Sequence, residues 1–174
     1  MKSIKFSHFE TNQIDFIVFN SPNQKNQSSI YDLNEYINKY NIVAIFRLCE
    51  SLYQEENINC KIINLEIKDG DFPNEENILI YLSYIEKIIQ TNKETNEKTN
   101  NNIKPCIGIH CKAGLGRAPI FAAIGLMNYT NYDYCEVVTL IRSKINGSIN
   151  AVQLKEISNY KPNLMKKNKI CCIM

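Results

Sequence analysis

Short apolar runs alternate along this chain with segments of helical period, and that alternation leaves few folds open. Asp15-Phe-Ile-Val-Phe19, Ile42-Val-Ala-Ile-Phe46, Ile62-Ile-Asn-Leu65 and Ile107-Gly-Ile109 read as strands, the first closed by the turn cluster Asn20-Ser-Pro-Asn23. Leu33, Tyr36, Ile37 and Tyr40 fall at helical spacing, which predicts a helix over 29–40. Pro73-Asn74-Glu75-Glu76 has the form of a helix start, with Ile78, Tyr81, Leu82, Ile85 and Ile89 as the apolar stripe behind it. Further helices are expected from about Arg117, Tyr132 and Ala151. Strands that alternate with helices are joined by crossovers, so the expected fold is α/β, with a central, mostly parallel sheet flanked by helices. The 174 residues, 44% of them hydrophobic, suffice for a single core. Residues 1–160 are read as the domain and 161–174 as a tail. Residues 91–104, Thr-Asn-Lys-Glu-Thr-Asn-Glu-Lys-Thr-Asn-Asn-Asn-Ile-Lys, read as a low-complexity polar loop.

Charge is informative once it is located. Lys161, Lys166, Lys167 and Lys169 lie in the last 14 residues, which hold no acid, leaving 16 basic against 18 acidic groups in the rest. A nearly neutral body with a basic tail argues against nucleic acid and towards an anionic membrane surface. No apolar run reaches the roughly 18 residues of a membrane helix, and the opening residues show no secretory core, so a cytosolic protein is expected. Seven cysteines with only two histidines, and no Cys-x-x-Cys pair, favour neither a disulfide framework nor a zinc site. Cys60, Cys106 and Cys135 are read as packing residues. No metal or other cofactor is called for.

The segment that carries chemistry is Ile107-Gly-Ile-His110-Cys111-Lys112-Ala113-Gly114-Leu115-Gly116-Arg117-Ala118-Pro119. A Cys at the end of a strand, followed by a glycine-bearing loop that opens a helix, meets a ring of backbone N–H donors suited to a tetrahedral dianion. The same field favours a thiolate, which can attack phosphorus. Residues 112–117 would form the phosphate loop, and the planar fork of Arg117 can bind two phosphate oxygens into the transition state. His110 is read as orienting the loop.

His-Cys-x5-Arg resembles the signature of the cysteine-dependent protein tyrosine and dual-specificity phosphatases. Ala118-Pro119 after the Arg, the run Phe46-Arg47-Leu48-Cys49-Glu50 and the terminal Cys171-Cys172-Ile173-Met174 narrow the resemblance to the phosphatase of regenerating liver family, the prenylated type 4A tyrosine phosphatases. That resemblance implies the cysteine-phosphatase fold and hydrolysis of phosphate monoesters through a phosphocysteine on Cys111. It implies a general acid in the loop Leu65-Glu66-Ile67-Lys68-Asp69-Gly70-Asp71-Phe72-Pro73, where the Asp-Gly pair points to Asp69 first and Asp71 second. The Trp-Pro that opens this loop in the family is Leu65-Glu66 here. The hydroxyl that usually follows the signature Arg is missing at Ala118, which implies slow hydrolysis of the phosphoenzyme. Gln153 matches a polar family position.

Cys49 is implied as a redox partner of Cys111. Both cysteines close strands of a parallel sheet, at one edge, and would meet if those strands were neighbours. The last four residues form a CaaX box with Met at X, implying farnesyl on Cys171, with the lysines as the second membrane signal. The implied location is the cytoplasmic face of plasma or endosomal membranes, or the cytosol when unprenylated. The expected partner is a phosphoprotein. A phosphoinositide stays open because of Lys112 at the pocket rim, as does a low-turnover scaffold that binds magnesium transporters of the cyclin M type.

Overall fold

The computed structural model describes residues 4–22, 27–51, 53–100 and 103–162. Cys171 and the lysines at 166, 167 and 169 lie outside the described residues. Five strands form one sheet: β1 (Phe6–Phe9), β2 (Asp15–Asn20), β3 (Ile42–Arg47), β4 (Lys61–Asn64) and β5 (Cys106–Cys111). Five helices accompany them: α1 (Gln27–Lys39), α2 (Glu75–Thr99), α3 (Arg117–Tyr129), α4 (Tyr134–Lys144) and α5 (Ala151–Asn159). The strand order is β1-β2-β5-β3-β4, parallel throughout except for the antiparallel edge pair β1–β2. No described helix is long and apolar enough to cross a membrane.

Side-chain alternation along the strands divides the core in two. Phe16 and Val18 of β2, with Ala44, Phe46, Ile107 and Ile109, face a core shared with α2 to α5. Ile17 and Phe19 face the other way, with Ile45 and with Leu33 and Ile37 of α1. Both faces are therefore covered, as a parallel sheet requires. A bulge in β3 between Ile42 and Ala44 turns Val43 out to solvent. Helix α3 crosses the sheet so closely that a Cβ on Gly125 would lie 2.6 Å from Cζ of Phe16.

Two sequence expectations are corrected. The polar stretch from Thr91 is not a loop: α2 continues to Thr99 and ends on Asn100 in the left-handed conformation. The Lys and Glu residues of this stretch are good helix formers. Gln90 donates to Glu94 across one turn, and the Asn92 and Asn96 amides both donate to the Ile103 carbonyl, fastening the returning chain to the helix. Cys135 does not pack in the core but is exposed on α4. Two smaller differences accompany them. Strand β1 goes unread because only Phe9 of its four residues is fully buried. Helix α4 starts at Tyr134, because Asp133 and Glu136 form a capping box there.

Candidate active site

Strand β5 lies at the centre of the sheet, flanked by β2 and β3, so its carboxyl end opens between theirs. Cys111 is its last residue, 2% exposed. The Ser21 N–H, just past β2, donates to the Cys111 and Lys112 carbonyls at 2.8 and 3.3 Å and fixes the start of the loop. Gly114 has φ +73°, and a Cβ there would also lie 3.1 Å from the Asn20 nitrogen, so both conformation and space demand glycine. Gly116 begins α3 without a side-chain cap, which leaves the first N–H groups of the helix open to an anion.

Arg117 opens α3 and is 5% exposed. Its Nη1 donates to the carbonyls of Leu48 and Ile67 at 3.3 and 3.1 Å, and its Nη2 lies 3.2 Å from Oδ1 of Asp69. Its Nε has no hydrogen-bond partner among the described residues. A buried guanidinium with a spare donor is costly unless a ligand takes it. One turn of loop from Cys111, that donor suits an oxyanion.

The Asp69 side chain is 81% exposed, and apart from Arg117 it faces water. Asp71 pairs instead with Lys68 at 3.8 Å. The loop bearing both is held at its start by N–H donation from Leu65 to Arg47 and from Ile67 to Leu48. Lys112 is 65% exposed and pairs with Glu50 at 3.7 Å, so much of its charge at the rim is compensated.

His110 is fully buried and hydrogen-bonds through Nε2 to the Tyr53 hydroxyl at 2.8 Å, while Phe19 stacks on its ring. Burial, with the nearby Arg47 charge, pushes its pKa down to about 3. It is therefore neutral at working pH and shapes the strand end rather than delivering a proton. Arg47 donates to Ser51, pairs with Glu55 and lies over the Tyr53 ring, so one network reaches His110. Cys49, buried just past β3, lies close enough to Arg117 and Cys111 to feel their charges. Burial raises its pKa to about 11, which keeps it a thiol. Cys60 is likewise pushed up to about 12 by burial.

Sequence reasoning missed Tyr53, Arg142 and Asn150. Arg142 holds the Ser148 and Ile149 carbonyls at 3.2 and 2.8 Å, and the Ile149 N–H supports the loop between Cys111 and Arg117 at Leu115. Asn150 was legible as a cap, since Asn-x-x-Gln before a short apolar pattern is a capping-box form. Gln153 is fully buried, with its amide shared between Asn150 and the Asp71 carbonyl. Outside this site, His8, Glu10 and Asp15 are grouped closely enough to hold a cation. Lys104, 2.7 Å from Asp15, already neutralises that carboxylate.

No family model matches the chain. Among curated proteins it is 32% identical over 143 residues to a PRL-1 phosphatase of Drosophila melanogaster, covering 79% of this chain and 75% of that protein. It is 31% identical over 157 residues to the protein tyrosine phosphatase PRL-1 of Trypanosoma cruzi, covering 88% and 82%. Among solved structures, one described as a protein tyrosine phosphatase of Leishmania major superposes with a TM-score of 0.69 at 26% identity, covering 86% of this chain and 89% of that one. These matches favour neither a scaffold nor a phosphoinositide phosphatase over a protein phosphatase. With Cys111 and the buried Arg117 at the two ends of one glycine-bearing loop, the chain belongs to the PRL, or type IVA, family of protein tyrosine phosphatases.

Proposed function

We propose that this phosphatase works through Cys111, Arg117 and Asp69. The Cys111 thiolate attacks phosphorus, and the bond to the leaving oxygen breaks as Asp69 gives that oxygen its proton. The products are a free hydroxyl and phosphocysteine. Water then attacks the phosphocysteine, the Asp69 carboxylate takes the water's proton, and inorganic phosphate leaves as the thiolate returns. Arg117 stabilises the equatorial oxygens in both steps, and a substrate dianion on its fork frees Asp69 to face the leaving oxygen. The observation that carries this reading is the unpartnered Nε of a buried Arg117 at the loop that Cys111 begins. Rapid-quench mixing with a phosphotyrosine peptide should trap phosphate on the Cys111 peptide; acid-stable phosphate elsewhere, or none, overturns it.

The substrate is a phosphoprotein carrying phosphotyrosine, phosphoserine or phosphothreonine. Ala118 offers no hydroxyl to the departing thiolate, so turnover is slow at the second step. Peroxide oxidises the Cys111 thiolate to a sulfenic acid, which the Cys49 thiol converts to a disulfide with loss of water. Farnesyl on Cys171 and the lysine tail hold the enzyme on anionic cytoplasmic membranes. A cyclin M-type magnesium transporter there is a partner that the family resemblance suggests.

A further inference from the structure

The turn that leads into α5 touches both loops of the site. The Ile149 N–H donates to the Leu115 carbonyl in the phosphate loop at 2.9 Å. Asn150 Nδ2 donates to the Gly70 carbonyl at 3.0 Å, and Gln153 Nε2 donates to the Asp71 carbonyl at 3.0 Å. Those two carbonyls directly follow Asp69 in the chain. The Gln153 amide also lies against Gly116, where a Cβ would meet it at 3.3 Å. Ile149 has φ +60°, a strained conformation for a β-branched residue. Arg142 holds the carbonyls on either side of that strain, those of Ser148 and Ile149.

We infer that Asn150 is a positioning residue for Asp69: its amide latches the acid loop to the phosphate loop, so that the Asp69 carboxyl meets the leaving oxygen. The inference rests on Asp69 being the general acid. In this chain Leu65-Glu66 opens the acid loop, and past Asp69 the loop is fastened to α5 by two side-chain amides. Strain at Ile149 is what a turn accepts when its direction matters more than its comfort.

A purely structural role for Asn150 is separable, because its two functions use different atoms. Oδ1 accepts from the Gln153 N–H at 2.9 Å and caps α5, while Nδ2 makes the latch. Asn150→Asp and Asn150→Ser both keep a cap acceptor of comparable strength and remove the amide Nδ2 that reaches the Gly70 carbonyl. The full-length variants and Asp69→Asn are assayed for kcat/KM on two aryl phosphate dianions, phenyl phosphate and a fluorinated umbelliferyl phosphate. This parameter reports phosphocysteine formation whatever step follows it. Only the phenolate of poor leaving ability needs a proton, so a misplaced acid shows in the ratio of the two substrates.

Both Asn150 variants should lower that ratio about tenfold, a fraction of the roughly 10²–10⁴ that a general acid contributes, with the thermal midpoint kept. The charge added by Asp repels both dianions alike, and Ser, which adds none, shows the loss of the amide free of any charge effect on Asp69. If Asp69→Asn changes the ratio and both Asn150 variants leave it at the wild-type value, the latch is wrong and the acid stands. If Asp69→Asn leaves the ratio unchanged, the acid assignment falls and takes the latch with it.

Discussion

The Asp69 carboxylate lies 3.2 Å from Nη2 of Arg117, a residue 48 positions further along the chain and on a different element. The guanidinium proposed to bind phosphate thus also holds the proposed acid, and two backbone carbonyls fix its plane. Arg117→Lys keeps the charge but not these directions, since one ammonium cannot serve all four sites. A loss of about 10²–10³ in kcat/KM on a phosphotyrosine peptide is expected, as for removal of an oxyanion donor. Cys111→Ser should abolish activity with the fold kept. Wild-type rate in either variant would remove that residue from the mechanism.

Ala118 is fully buried in the first turn of α3, next to Arg117. Ala118→Ser should supply a hydroxyl to the departing thiolate, so that phosphoenzyme decay and steady-state turnover rise while the burst rate stays. Unchanged decay in a chase experiment would mean that another step limits turnover.

Cys49 lies just past β3 and Cys111 ends the neighbouring β5, with Arg47 in register with His110. A thiol held at about 11 suits the proposed resolving partner rather than the first target of oxidation. Mild peroxide should inactivate the enzyme reversibly and yield a Cys49–Cys111 peptide. In Cys49→Ala the same dose should drive Cys111 to sulfinic acid. A disulfide to buried Cys106 instead would refute the pairing.

His110 gives a pH signature with a definite sign. Its folded pKa is about 3 against 6.5 for an ordinary histidine, so the unfolded chain takes up a proton that the folded one refuses. Its stability contribution is complete above 6.5 and is lost as pH falls towards 3, at about 1.4 kcal/mol per pH unit. His110→Gln should remove one proton from that dependence. Urea midpoints between pH 7 and 4.5 check it; parallel curves for both proteins would show that His110 does not titrate in this way.

Membrane attachment should need both tail signals. Cys171→Ser should release the protein from vesicles. Replacing Lys166, Lys167 and Lys169 by Gln should cost roughly 3 kcal/mol of partitioning, about 1 kcal/mol per charge. Flotation at two salt concentrations separates the two signals, because screening weakens only the charges. Undiminished flotation of the triple variant at low salt would mean that the lysines are not the second signal.

By itself the sequence determined the ends of the loop proposed to carry the chemistry. Cys111 closes an apolar strand, Arg117 opens a helix six residues later, and the glycines between them turn the chain, all through forces that act over a few residues. The strand and helix order was legible for the same reason, since side-chain period and capping are local. Two local readings failed where the deciding contacts were not in the pattern. Thr91–Thr99 looks structureless until Asn92 and Asn96 bind Ile103, and β1 exists only because β2 offers it a partner. The tertiary structure alone decided that β5 lies between β2 and β3, which brings Cys49 beside Cys111. It alone set Tyr53 against His110 and carried Asn150 to Gly70 across 80 residues of chain. Such contacts depend on how whole layers pack, and no propensity of the residues that make them reports where a distant loop will lie.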